Sequence, residues 1–222
     1  MLLDTILDSS YRPPRVAVIV AHPDDETLWA GGQILARPDW DWTIVTLCRG
    51  NDPDRAPKFR RVLERLNARG AMADLDDGPE QTPLPWAEVE DAILSLLCGT
   101  AFDAVLTHGP WGEYTRHRRH EEASQAVTRL WRNGRLTAGR LFLFAFEDGQ
   151  RAYLPRPRAN AHLVETLSQE IWQQKYDIIT GLYAFAPDSW EAQATPRQEA
   201  VWHFESPDAL NGWIGSEEGS CR

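Results

Sequence analysis

Arg15-Val16-Ala17-Val18-Ile19-Val20, followed at once by Ala21-His22-Pro23-Asp24-Asp25-Glu26, is the stretch that decides the fold. The first six residues are almost wholly apolar and rich in β-branched side chains. They have no polar face, which is the pattern of a parallel strand covered on both sides. Pro23 and the acids behind it bring turn and helix-start chemistry. A helix is predicted over Glu26–Leu35, and Gly31-Gly32 inside it marks the close approach of a neighbour.

Outward from there, Trp42–Cys48 is a second β-rich run, closed by Gly50-Asn51-Asp52-Pro53. Pro57–Arg69 has helical spacing, Asp74–Pro85 reads as loop, and Trp86–Cys98 is an amphipathic helix with Val89, Ile93, Leu96 and Leu97 on one side. Ala104–Thr107 is a third strand, and a polar loop follows from His108 to Arg116. A helix is expected over His117–Trp131, a fourth strand over Leu141–Phe146 and a helix over His162–Tyr176. Beyond Asp177 the pattern is irregular, and Ser206–Arg222, rich in Gly, Ser and Glu, is expected to be a loosely ordered tail. Strands alternating with helices predict an α/β sandwich with a mostly parallel sheet.

The chain has 222 residues, a length that suits one good-sized domain. Its formal net charge of −10 repels phosphate backbones and anionic lipid. Neither nucleic acid nor a membrane surface is therefore expected as a main partner. No apolar run reaches the length of a membrane span. Met1–Ser10 carries two acids and no basic segment, unlike a signal peptide. Cys48, Cys98 and Cys221 are far apart and odd in number, which fits a reducing cytoplasm better than a disulfide framework. A homo-oligomer is expected because such assemblies are common.

Two constellations carry chemistry. His22, Asp24 and Asp25 stand where the first strand ends, and ligands of open α/β sheets bind outside the carboxyl ends of strands. His and Asp are both ligands for first-row metals, and His22 and Asp25 are close enough in sequence to reach one ion. Asp-Asp-Glu ahead of a helix is equally good capping and dipole chemistry, so the segment alone serves either reading. The second constellation is His108, directly after the third strand, with His117-Arg118-Arg119-His120 at a helix start, where residues three apart share a face. Four of the six histidines thus gather at one edge of the sheet. A His-Asp-His set leaves a metal with an open position for water, the arrangement of catalytic rather than structural zinc.

Ala21–Glu26 after a hydrophobic strand resembles the signature of the zinc-dependent N-acetylglucosaminyl deacetylases, the PIG-L or LmbE-like family. Thr107-His108-Gly109-Pro110, leading into Gly112-Glu113-Tyr114 and the His117–His120 pair, is a second match. Thr46–Gly50, followed by Arg61, Glu64 and Ala68, is a weaker third. Together they run from about Arg15 to Val127 in the family's order. The resemblance implies a Rossmann-like three-layer sandwich forming one deacetylase-like domain over residues 1–222. It implies removal of an acyl group, usually acetyl, from an amino sugar or related compound.

It also implies His22, Asp25 and His120 as zinc ligands, with another divalent metal as the variant. Asp24 would be the base that activates water, and His117 and Tyr114 would stabilise the oxyanion or serve the leaving group. Arg61, Glu26 and His108 would be the substrate contacts. Lys175, Tyr176 and Gly181–Phe185 are similar to a segment that closes over the site in some relatives. Glu147-Asp148-Gly149 follows the fourth strand, either to meet substrate hydroxyls or to form a turn.

This sequence departs from the family at Thr115-Arg116, where one glycine is usual, and at Arg118-Arg119, which replace an acid able to support a histidine. Glu121 or Glu122 is the candidate replacement for that acid. Arg49, Arg61, Arg116, Arg118 and Arg119 offer charge for an anionic group. Two other functions stand beside deacetylation: hydrolysis of a different amide, and a non-catalytic sugar- or nucleotide-binding module. Against the latter, the chain carries neither G-x-G-x-x-G nor G-x-x-x-x-G-K-[ST].

Overall fold

In the computed structural model, described for residues 3–4, 6–7 and 12–216, the Arg15–Val20 run is strand β1, an interior strand of the main sheet. The elements after it are α1 (Asp25–Leu35), β2 (Asp41–Cys48), α2 (Arg55–Arg65), β3 (Arg69–Leu75), α3 (Trp86–Leu97), β4 (Ala104–Thr107) and α4 (Arg118–Arg132). Next come β5 (Leu141–Phe144), the short pair β6 (Phe146–Glu147) and β7 (Arg156–Pro157), then β8 (Leu163–Thr166) and α5 (Gln169–Asp177). A π-helical turn (Ile178–Leu182), α6 (Trp190–Ala194), β9 (Gln198–Phe204) and α7 (Pro207–Ile214) complete the elements of the described residues. No helix among the described residues is long and apolar enough to cross a membrane.

Seven strands form one sheet in the order β3-β2-β1-β4-β5-β9-β8. The first five run parallel, and β9 is antiparallel to both β5 and β8, so the sheet is mixed but mostly parallel, as expected. Val16–Val20 are fully buried, as a two-sided strand requires. The chain leaves β1 toward β2 and β3, then returns to place β4 on the other flank of β1. This creates a switch point between β1 and β4, where neighbouring crossovers diverge and leave a crevice at the strand ends. Helix α1 packs with α5 and the π-helical turn, while α3 packs with α4, giving helical layers on the sheet.

Three expectations change. Arg69–Leu75, spanning the gap between the helix expected to end at Arg69 and the loop expected from Asp74, is edge strand β3; Arg-Gly-Ala-Met-Ala-Asp-Leu has no β-branched residue to announce it. The helix expected over His162–Tyr176 is strand β8 followed by helix α5. Leu163-Val164-Glu165-Thr166 alternates half-buried with exposed, and Ser168 Oγ then accepts from Ile171 N to start the helix. The irregular C-terminal stretch contains β9 and, where a loose tail was expected, α7, capped by Ser206 Oγ accepting from Ala209 N. Residues 217–222 of that tail, with Cys221, and most of the Met1–Ser10 stretch lie outside the described residues.

Candidate metal centre and cavity

The switch point is where the histidines meet. Strand β1 ends at Val20, and Ala21 is tied on both sides: its carbonyl accepts from Cys48 N at 2.9 Å, and its N–H donates to His108 Nε2 at 2.9 Å. The chain then turns through His22 and Pro23 into α1. Asp25 Oδ2 accepts from His22 N at 2.9 Å, and the Asp24 carbonyl accepts from Thr27 N and Leu28 N. The turn is tight enough to force Asp24 to φ 121°, a region that L side chains rarely adopt. From the other side of the switch point, His117 is the N-cap of α4 and His120 lies in its first turn.

Three donor atoms converge. His22 Nδ1 lies 3.1 Å from Asp25 Oδ2, Asp25 Oδ2 lies 3.4 Å from His120 Nε2, and His120 Nε2 lies 3.3 Å from His22 Nδ1. Ligands about 2.0–2.1 Å from a tetrahedral ion sit roughly 3.3–3.4 Å apart, so the triangle fits one zinc-sized cation. Glu113, fully buried, fixes the tautomers behind it. Its Oε2 is 2.7 Å from His120 Nδ1 and 2.8 Å from His108 Nδ1, and its Oε1 accepts from Gly109 N. With Nδ1–H of His120 given to Glu113, the Nε2 lone pair is left for the centre. Burial raises the Glu113 carboxyl, but His108 and His120 outweigh it and hold it at about 2. Burial likewise raises Asp25, but the imidazoles of His120, His108 and His22 pull it well below the carboxylate range. Trp29 Nε1 donates to Asp25 Oδ1.

Asp24 faces the same cavity. Burial, then the charge of Asp25, pushes its carboxyl well above the usual range, while Arg55 Nη1, 3.0 Å from Oδ2, pulls it back. The Arg55 guanidinium is itself held 4.5 Å over the Phe185 ring. His117 and Tyr114 stand opposite, with ring centroids 6.1 Å apart. Burial, then His120 and His22, pushes His117 down to about 3, so its imidazole is neutral. Burial and the nearby carboxylates push the Tyr114 hydroxyl up, so it keeps its proton. These groups line a cavity of about 290 Å³, together with Arg49, Asp77, Trp190 and Glu191. That is near the lower bound for a small-molecule site.

Six of the nine residues singled out from sequence therefore surround the cavity: His22, Asp24, Asp25, Tyr114 and His117 line it, and His120 Nε2 completes the donor triangle. The three expected substrate contacts do not. Glu26 is fully buried beneath the site, where its carboxylate accepts from Asp24 N, Thr27 Oγ1 and Tyr183 Oη. His108 is fully buried, with both ring nitrogens engaged by Ala21 N and Glu113. Arg61 is exposed on α2, and Arg55, earlier on that helix, takes the position at the cavity.

Neither Glu121 nor Glu122 supports a histidine: they pair with Arg116 and Arg119, and the supporting acid is Glu113. Of the arginines offered for an anion, Arg49 alone is at the cavity. The extra Thr115 is absorbed by Asp148, which accepts from Thr115 N and Oγ1 at 2.7 Å; Asp148 thus anchors the loop. Lys175 and Tyr183 support the site from behind rather than closing over it.

The profile of one family, PIG-L: GlcNAc-PI de-N-acetylase, matches residues 17–131. The chain is 22% identical over 134 residues to the uncharacterized protein L374 of Acanthamoeba polyphaga mimivirus, covering 54% of this chain and 59% of that protein. It is 42% identical over 53 residues to a 1D-myo-inositol 2-acetamido-2-deoxy-alpha-D-glucopyranoside deacetylase of Actinosynnema mirum. That match covers 23% of this chain and 19% of the relative, so the chain spans only part of the curated proteins it matches. Among solved structures, it is similar to the N,N'-diacetylchitobiose deacetylase of Pyrococcus horikoshii, with a TM-score of 0.67 at 14% identity over 99% of this chain and 95% of that one.

Proposed function

The chain belongs to the PIG-L (GlcNAc-PI de-N-acetylase) family, and from that premise we propose that it removes an acyl group, most simply acetyl, from the amide nitrogen of an amino sugar or a related small molecule. The observation that carries this reading is the triangle of His22 Nδ1, Asp25 Oδ2 and His120 Nε2 with Asp24 beside it. The donor set suits zinc: two imidazoles and a carboxylate, with their donor atoms 3.1 to 3.4 Å apart. Bound there, zinc would polarise an amide carbonyl and make water more acidic.

The protein's own groups do the rest. Arg55 engages Asp24 Oδ2, so Oδ1 takes the proton of the attacking water. As the carbonyl carbon becomes tetrahedral, the Tyr114 hydroxyl, which keeps its proton, donates to the developing oxyanion. The neutral His117 ring, whose Nδ1 is buried without a partner among the described residues, donates beside it. A neutral imidazole has no proton to spare for the leaving group. Asp24 therefore returns the proton it took, delivering it to the amine nitrogen as the C–N bond breaks. The products are a free amine and a carboxylate.

The small, polar cavity fits a sugar-sized substrate, and the two described cysteines, both free, suit a reducing cytoplasm. The test is to count metal in the purified chain and to measure acetate release across a panel of N-acetylated amino sugars. Asp24→Asn should keep its metal and lose nearly all turnover. Normal turnover in that variant would remove Asp24 as the base, and a metal-free, inactive native protein would remove the whole reading.

A further inference from the structure

The far side of the His22 ring faces donors that deacetylation does not use. Nδ1 points to Asp25 and His120. The other nitrogen, Nε2, is buried and faces the Asp77 carboxylate, 3.3 Å from its Oδ1. Cys48, fully buried at the end of β2, stands beside it. Cys48 Sγ, a His22 ring nitrogen and an Asp77 carboxylate oxygen all lie within 4.8 Å of one another. The Asp77 side chain is 7% exposed and that of His22 14%. The three residues come from the ends of three neighbouring strands, β1, β2 and β3, so the sheet itself brings them together.

We propose that His22, Cys48 and Asp77 hold a second divalent cation of borderline or soft character, such as zinc, cobalt(II) or cadmium, sharing the His22 imidazole with the catalytic set, and that filling this site turns the enzyme down. Imidazole, thiolate and carboxylate are all zinc ligands, and a thiolate discriminates against magnesium and calcium. The His22–Asp25–His120 triangle has no sulfur, so the two sites differ in chemical character as well as position.

Charge sets the order of filling. Arg49 Nη2 already lies 2.6 Å from Asp77 Oδ2, and Gln81 Nε2 donates to Oδ1 at 2.9 Å. A cation must compete with that guanidinium. It must also displace the Cys48 thiol proton and the His22 Nε2 proton, both released to solvent. The second site therefore fills after the first and at higher metal concentration. Filling it loosens Arg49 from Asp77, and both residues line the cavity. It also draws electron density from the imidazole whose Nδ1 serves the catalytic set. The result is activation by the first equivalent of metal and inhibition by the next.

The order of filling and the inhibition rest on the proposed catalytic set; the thiolate ligand does not. The experiment is a cobalt(II) titration of metal-free protein lacking Cys98 and Cys221, followed by near-ultraviolet absorption and acetate release. A thiolate ligand gives an intense charge-transfer band, whereas a nitrogen–oxygen site gives only weak visible bands. The expected result is weak bands and rising activity with the first equivalent, then the charge-transfer band and falling activity with the second. Cys48→Ala should lose the band, the second equivalent and the inhibition while keeping first-equivalent activity, and Cys48→Ser should behave alike. A wild-type chain that shows no charge-transfer band in excess cobalt overturns the proposal, as does a band that persists in Cys48→Ala. A band without deacetylation at any ratio would sustain this site and sink the catalytic reading instead.

Discussion

Asp24 sits on a backbone that costs about 1–3 kcal/mol for a residue with a side chain. Glycine at that position has no such cost, so Asp24→Gly should be more stable than Asp24→Ala in thermal melts, while both are inactive. Arg55 acts on the same carboxylate. Its guanidinium holds the Asp24 carboxyl down, so Arg55→Met should raise that pKa. A base works when deprotonated, so the acidic limb of the kcat/KM profile should move to higher pH; an unmoved limb would separate Arg55 from Asp24. Glu113→Gln should weaken metal affinity by about 10–100-fold, measured by competition with a chelating dye, because His120 loses the carboxylate that fixes its tautomer. The residues that converge at the cavity stood out in the sequence because ligand chemistry restricts residue type. Which arginine of α2 reaches the cavity could not be read that way, because a helix turns about 100° per residue and Arg61 lies about 120° around the axis from Arg55. Glu113 was visible only as part of the Gly-Glu-Tyr match; its partnership with two histidines needs the fold.

At the scale of elements, the helix that presents Asp25 is clamped from behind. Glu199 on β9 accepts from Gly32 N at 2.7 Å and Gln33 N at 2.9 Å, and Lys175 Nζ on α5 lies 2.7 Å from the same carboxylate. Gly31 and Gly32 make room for this. A Cβ on Gly32 would come within 2.4 Å of Leu167 and 3.0 Å of Glu199. The glycine pair announced that close approach in the sequence, but not the partner, since the ion pair joins residues far apart in the chain. Lys175→Met leaves a buried carboxylate without its counter-charge and should cost about 3–5 kcal/mol in urea unfolding. Adding Glu199→Gln should recover part of that loss; a strictly additive double variant would show that the two side chains do not act as a pair. Strand β8 and helix α5 were merged in the sequence reading because a short alternating run next to a helix has little periodicity of its own.

Over the whole molecule, the alternation of strands and helices pointed to the carboxyl edge of the sheet, and the cavity lies there; the switch point between β1 and β4 needs the strand order that only the fold supplies. The antiparallel side of the sheet was not legible, since β8 and β9 lie in the least periodic third of the chain. The proposed metal set joins the end of β1, the start of α1 and the first turn of α4. Metal removal should therefore loosen the whole fold: stabilisation of about 4 kcal/mol at a thousandfold excess over Kd should vanish on chelation, and the melting temperature should return with added zinc. Strand β9 adds a constraint of another kind. It lies between β5 and β8, and sixty residues separate Phe144 from Phe204. At about 5–20 residues per second, a ribosome exposes the edge of Leu-Phe-Leu-Phe for roughly 3–12 s before its neighbour exists. A message truncated before Gln198 should yield an aggregating product, and the growing chain should depend on chaperones during that interval.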